Sequence, residues 1–256
     1  MEKRKRRLLN LKYAFALLAL IGFGSFFVFY AHGFFVYMQD GRRAQQNSDI
    51  AREMFADTLH QDYELVSIDY EAEMLEPARR LTRNEAVVGF LTIPGTNVGD
   101  LVVQGADNYF YLTHDAYGNA NANGALFMDY RNSRDFSDLN TIIYGHNMRN
   151  GTMFHNLRYY MNQDFFERHP RITIVGDRRI LTYEIFAAFS TNIDFYYIQV
   201  DFKSPDDFGA LINEIMRRSV ISTGVTATAY DRILILSTCT NEREDMRFVV
   251  AARLMY

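Results

Sequence analysis

Apolar residues fall along this chain in three rhythms. From Tyr13 to Tyr30 they are continuous: YAFALLALIGFGSFFVFY is 18 residues without a charge, and Phe34-Phe35-Val36-Tyr37-Met38 extends the run past His32 and Gly33. About 20 apolar residues at 1.5 Å rise cross the hydrocarbon core of a bilayer, so a transmembrane helix is predicted over 13–38. From 39 to 83 the pattern is mixed and reads as a helical spacer or collar. Asn47-Ser48-Asp49 offers helix-cap chemistry before IAREMFADTLHQDYEL, and Tyr70 to Arg83 has Met74, Leu75 and Leu81 as its apolar points.

From 84 to 256 the rhythm changes again, to short apolar runs separated by turn signals. The runs are Ala86–Ile93, Leu101–Val103, Ala125–Phe127, Thr141–Tyr144, Ile172–Val175, Leu181–Phe189, Arg232–Leu236 and Phe248–Leu254, with Pro94-Gly95, Asn123-Gly124 and Gly176-Asp177 between them. About eight strands at this spacing predict a mainly β domain, a barrel or a sandwich. One helix interrupts them. Ser204-Pro205-Asp206-Asp207 is a cap with Pro at the first helical position, and Phe208, Leu211, Ile212, Ile215 and Met216 follow helical spacing. It reads as an amphipathic helix packed on the strands, without chemistry of its own.

Charge orients the first segment. The first twelve residues hold six Lys or Arg against Glu2 alone, whereas the whole chain has a formal net charge of -4. The body is therefore acidic, which gives no support for nucleic-acid binding. A basic arm before an apolar run places residues 1–12 in the cytoplasm and the large domain outside. Ala31-His32-Gly33 is a poor cleavage site and aromatics follow it, so the run reads as an uncleaved signal anchor rather than a removed signal peptide.

Cys239 is the single cysteine. It ends the apolar run Ile233-Leu234-Ile235-Leu236 and cannot be half of an internal disulfide. Two readings stand: a packing thiol, since free cysteine is among the most buried residue types, or a nucleophile that needs a base and a charge stabiliser from elsewhere. Among six histidines, His32 falls in the anchor and His60 in the collar, while His155 and His169 lie in polar or helical contexts. His114 has a neighbouring carboxylate in Asp115. His146 follows Thr141-Ile142-Ile143-Tyr144 as Cys239 follows its own run, so two parallel strands ending at one rim would bring them together. Spacing alone leaves the base open.

Several segments, in order, resemble class B sortases: Val88-Gly89-Phe90-Leu91-Thr92-Ile93-Pro94-Gly95-Thr96, Val103-Gln104-Gly105-Ala106-Asp107-Asn108, Tyr111-Leu112-Thr113-His114-Asp115, Ile143-Tyr144-Gly145-His146-Asn147-Met148, Met153-Phe154, Phe165-Phe166-Glu167-Arg168-His169-Pro170, and Leu236-Ser237-Thr238-Cys239-Thr240 with Arg247. The resemblance runs from about Asn84 to the C-terminus. It implies a closed β-barrel of about eight strands with peripheral helices, Cys239 as nucleophile, His146 as acid/base and Arg247 as cationic stabiliser, with Arg243 the rival arginine and His114 a decoy. It also implies Ser237, Thr238 and Asn108 as substrate contacts, and the segment between Ile193 and Ser204, with Phe195, Tyr196, Tyr197 and Ile198, as groove wall or core. Some class B members have an acid directly after the cysteine, where this chain has Thr240.

The activity so implied is transpeptidation. Secreted proteins bearing a C-terminal sorting motif are cut after Thr through a Cys239 thioacyl intermediate, then passed to an amine of peptidoglycan or of a pilin Lys. No metal or other cofactor is called for: the chain has no zinc spacing and no calcium loop. Three other readings share some of these features. A membrane-anchored cysteine endopeptidase would hydrolyse the same intermediate. An L,D-transpeptidase would carry a His-Gly-Cys arrangement, absent here. A binding domain would keep Cys239 as packing.

Overall fold

The computed structural model describes residues 2–60, 68–69, 74–239 and 246–256, and of Cys239 the backbone. Helix α1 is continuous from Glu2 to His60. It contains one stretch long and apolar enough to cross a membrane, with mean hydropathy 1.7 and none of that window buried. Two compact units divide the chain, one ending at Arg42 and the other spanning Arg43–Tyr256.

The expected helix cap at Asn47-Ser48-Asp49 does not form, because α1 runs through it unbroken. Ser48 instead donates its hydroxyl to the buried carboxylate of Asp100, so a residue with capping chemistry serves as a docking contact. The collar is also not wholly helical. Ile68–Asp69 forms a short strand, β1, and helix α2 occupies Glu76–Thr82. The intervening positions 61–67 and 70–73 of the expected collar lie outside the described residues.

The strands are β2 (Val87–Thr92), β3 (Gly99–Val103), β4 (Leu126–Met128), β5 (Asn140–Tyr144), β6 (Arg171–Val175), β7 (Arg179–Asn192), β8 (Ile233–Cys239) and β9 (Met246–Leu254). Helix α3 (Gln163–Arg168) precedes β6, and α4 (Pro205–Arg218) lies between β7 and β8. Neighbour order is β1-β7-β6-β2-β3-β4-β5-β8-β9, and β9 also pairs with β7. That last pairing closes β2–β9 into an eight-stranded barrel, with β1 outside the ring. The length of β7 makes closure possible: Arg179–Glu184 faces β1 and β6, and Tyr183–Asn192 faces β9. β1 occupies the edge of β7 that β9 leaves open at Arg179 and Ile180.

Strand alternation explains the apolar runs. In β8, Leu234 and Leu236 join the barrel interior with Leu126, Ile143 and Val250, while Ile233 and Ile235 lie under Phe208, Leu211, Ile212 and Ile215 of α4. A strand buried on both faces reads as a continuous hydrophobic run. Each such side chain contributes about 1.5–3 kcal/mol when fully buried. The predicted cap of α4 forms, with the Ser204 hydroxyl accepting from the Asp207 N–H at 3.2 Å. A third cluster joins α1 and α2 to the barrel's other outer face, where Phe55 stacks on Phe90 with ring centroids 4.7 Å apart.

Candidate active site

β5 and β8 are parallel neighbours, with Ile142 beside Ile235 and Tyr144 beside Ser237. The ladder continues one step further, as the Gly145 N–H donates to the Ser237 carbonyl at 3.2 Å. His146 is then two residues past Tyr144, as Cys239 is two residues past Ser237. On the opposite side of β8, Cys239 pairs with Arg247 of antiparallel β9, and Arg247 pairs in turn with Thr191 of β7. The backbone therefore brings residues 146, 239 and 247 to one rim from three adjacent strand ends. Thr240 and Arg243 lie outside the described residues.

A glycine between Tyr144 and His146 is required by packing. A Cβ at Gly145 would lie 2.5 Å from Leu126 Cδ2 and 2.8 Å from Phe154 Cδ2. His146 is held on both its backbone and its ring. Its carbonyl accepts from the Phe154 N–H at 2.9 Å. Its ring Nε2 lies 2.8 Å from the Leu112 carbonyl oxygen. A carbonyl only accepts, so Nε2 carries the proton, and in the neutral ring Nδ1 is the acceptor.

The Leu112 carbonyl comes from the 3-10 turn Phe110–Leu112. Gly124, at φ 62°, lets the following loop press against this turn; a Cβ there would lie 2.5 Å from the Tyr111 carbonyl oxygen. His114, adjacent to the same turn, is engaged locally. Its Nδ1 bonds the Phe110 carbonyl at 3.0 Å, and its ring stacks on Phe110 at 4.0 Å. His155 bonds Asn147 at 2.9 Å, and burial together with the charge of Arg158 holds its imidazole below the ordinary value. His169 ends α3 and packs on Phe165.

A cleft of about 550 Å³ opens at this rim, and Asn108, His146, Ser237, Thr238 and Arg247 all line it. A second cleft, of about 330 Å³, lies at His169, away from these residues. The segment after β7 supplies a wall and divides between the two readings the sequence left open. Tyr196 is exposed, whereas Tyr197 is buried and its hydroxyl lies 2.7 Å from that of Ser237. Thr238 is buried, and its hydroxyl has no hydrogen-bond partner among the described residues. Arg247 Nη1 donates to the Met246 carbonyl at 3.0 Å.

Sequence reasoning missed three features of this site: the Leu112 carbonyl, the Tyr144 hydroxyl, and the pair Asp129 and Arg131. Asp129 has no exposed side-chain surface and is bridged by Arg131 at 2.8 Å. The available signal was Asp129-Tyr130-Arg131-Asn132, a polar run directly after the apolar Leu126-Phe127-Met128.

Comparison with known proteins agrees with this architecture. Residues 91–255 match the Sortase domain family model. The chain is 41% identical to sortase B of Listeria monocytogenes over 175 residues, covering 67% of this chain and 71% of that protein. It is 32% identical to sortase B of Staphylococcus aureus over 200 residues, covering 77% and 82%. Among solved structures, a Staphylococcus aureus sortase B–substrate complex superposes with a TM-score of 0.75 at 29% identity, covering 85% of this chain and 98% of that one. With the family matched over most of the chain and the closed barrel in common, the chain belongs to the sortases, in class B, and is a cysteine transpeptidase.

Proposed function

We propose that Cys239 is the nucleophile of this transpeptidase, His146 its acid and base, and Arg247 its charge stabiliser. The observation that carries the assignment is the register: parallel β5 and β8 lead to His146 and Cys239, and antiparallel β9 sets Arg247 opposite Cys239. In the first step the thiolate sulfur of Cys239 attacks the scissile carbonyl carbon. Arg247, charged at every relevant pH, stabilises the oxyanion that develops. The C–N bond breaks, the leaving amine takes a proton from His146, and a thioacyl enzyme remains. In the second step an acceptor amine attacks the thioester and His146 removes its proton. The C–S bond then breaks and the thiolate returns. One amide is exchanged for another, with no net redox change.

Leu112 supports this cycle by holding Nε2–H, which leaves Nδ1 as the atom that accepts and returns the proton. The peptide lies in the 550 Å³ cleft, with Asn108, Ser237 and Thr238 among its contacts. The substrates are secreted proteins cut after the Thr of a C-terminal sorting motif. The acceptor is a peptidoglycan stem or cross-bridge amine, or a pilin Lys. A sortase B of 29% identity has been solved in complex with triglycine, so an oligoglycine amine is the first acceptor to test.

Residues 1–12 form the cytoplasmic arm, 13–38 a single-pass anchor in the cell membrane, 39–83 the spacer and 84–256 the extracellular catalytic domain. The apolar stretch of α1 and the basic residues before it support this orientation.

The deciding experiment incubates the full-length protein with a library of sorting peptides, with and without triglycine, beside Cys239→Ala. Mass spectrometry is expected to find ligated products that the variant does not make. Cleavage without ligation, across varied amines, would instead indicate the endopeptidase. Turnover persisting in Cys239→Ala would refute the assigned nucleophile.

A further inference from the structure

We propose that the pair formed by buried Asp129 and half-buried Arg131 positions both walls of the peptide cleft, setting how well the sorting peptide is held without entering the bond exchange. The inference rests on the cleft beside Ser237 and Arg247 being the peptide's site.

Asp129 directly follows β4, and four donors from three side chains converge on its carboxylate. Arg131 Nε reaches Oδ1 at 2.8 Å and Arg131 Nη2 reaches Oδ2 at 2.8 Å. The Tyr144 hydroxyl and Asn108 Nδ2 donate to Oδ2 at 2.8 Å and 3.0 Å. Tyr144 and Asn108 both line the cleft. Arg131 also reaches the wall that follows β7. Its Nη1 donates to the Tyr196 hydroxyl at 2.9 Å, and its Nη2 donates to the Ile198 carbonyl at 2.9 Å. One carboxylate and one guanidinium thus join Asn108, Tyr144, Tyr196 and Ile198, which belong to three separate segments.

The electrostatics favour a rigid link. Burial alone would push the Asp129 carboxyl up. The hydrogen bonds from the Arg131 side chain, the Arg131 N–H and the Tyr144 hydroxyl outweigh burial and hold it below the ordinary carboxylate range. The geometry also needs arginine. Its planar fork carries five donors in fixed directions, whereas an ammonium is a single point of charge. A buried ion pair is weak evidence for stability by itself. Here the donors that do not meet Asp129 end on cleft residues, and that points to shape.

The test uses the full-length protein, a sorting peptide selected by the wild type from the library, and triglycine as acceptor. Arg131→Met is expected to raise the peptide KM by about tenfold or more while kcat stays within about threefold, the split expected when binding rather than bond exchange is lost. Alkylation of Cys239 by iodoacetamide is expected to keep its rate. Arg131→Lys should recover part of the KM, and Tyr196→Phe, which removes one link on the exposed rim, should raise KM by about threefold.

Unchanged KM in folded Arg131→Met and in Tyr196→Phe would overturn the proposal. So would a fall in kcat, or a change in alkylation rate, at unchanged KM. Should Arg131→Met not fold, Tyr196→Phe and the paired Asp129→Asn/Arg131→Gln decide by the same readout. Cys239→Ala, run in parallel, separates the two levels. Residual turnover there would defeat the catalytic reading, whereas an inert Cys239→Ala beside unaltered Arg131 and Tyr196 variants would defeat only the positioning role.

Discussion

Cys239 lies directly opposite Arg247 in the antiparallel pairing of β8 and β9. The pairing fixes the register of the two strands at the rim, and on the proposed assignment it sets the cation beside the nucleophile's position in the ladder. Arg247→Ala is expected to lower kcat by about 10²–10³, the usual effect of removing one oxyanion donor. Arg247→Lys should recover only a fraction, because it keeps the charge and loses the fork. Steady-state kinetics with the selected peptide and triglycine check both.

His146 should show a different signature. On the proposed assignment, glutamine could still donate to the Leu112 carbonyl as Nε2–H does but would offer no second ring nitrogen to carry the transferred proton. His146→Gln is expected to lower kcat by about 10²–10⁴ with a much smaller change in peptide KM, as loss of general acid–base catalysis predicts. A His146→Gln enzyme with kcat near wild type would remove His146 from the cycle.

Gly145 offers a test of packing upon chemistry. A methyl group there would meet Leu126 and Phe154, both fully buried, so the strand end must shift and carry His146 with it. Gly145→Ala is expected to cost about 1–3 kcal/mol through overpacking and to lower kcat as well. Denaturant unfolding measures the first effect and turnover the second. A variant with full stability and full activity would show that the rim tolerates the displacement.

Asp100, which does not line the cleft, is expected to give the fold a pH dependence. Burial raises its carboxyl above the ordinary value of 3.8, against opposing effects from the Ser48 hydroxyl, Arg52 and the Gly99 N–H; Asp49 adds to the rise. A carboxyl raised on folding favours the native state most when protonated. Its contribution is complete below the unfolded value of about 3.9 and is lost as pH rises through the folded one. Asp100→Asn keeps an acceptor for Ser48 without the charge. Its Tm relative to wild type is therefore expected to climb between acid and neutral pH. A constant difference across that range would place the Asp100 effect elsewhere.

The barrel was legible in the sequence because its strands announce themselves through burial. All eight runs read as strands correspond to β2–β9, and Ile233–Leu236 reads as doubly buried because α4 covers one face. The candidate rim was legible for the same reason: His146 and Cys239 each come shortly after an apolar run, two and three residues past its end. What stayed hidden depends on partners remote in sequence. Ser48 has the chemistry of a cap and becomes a partner of Asp100, 52 residues away. Ile68 becomes a strand because β7 has an open edge beside Ile180. The Leu112 carbonyl is invisible in any residue pattern, since every residue carries one. Asp129 and Arg131 look like turn residues until Tyr196 and Ile198, 65 and 67 residues from Arg131, come into reach.

The closure of the barrel has a consequence in time. β7 meets β9 only through residues 246–254, and β9 also supplies Arg247. A growing chain that has reached β8 already contains both His146 and Cys239, yet it lacks the strand that seals the ring and Arg247, the residue paired with Cys239 across it. On the proposed assignment, closing the barrel and completing the catalytic rim are therefore one event, and a chain that ends before β9 has neither.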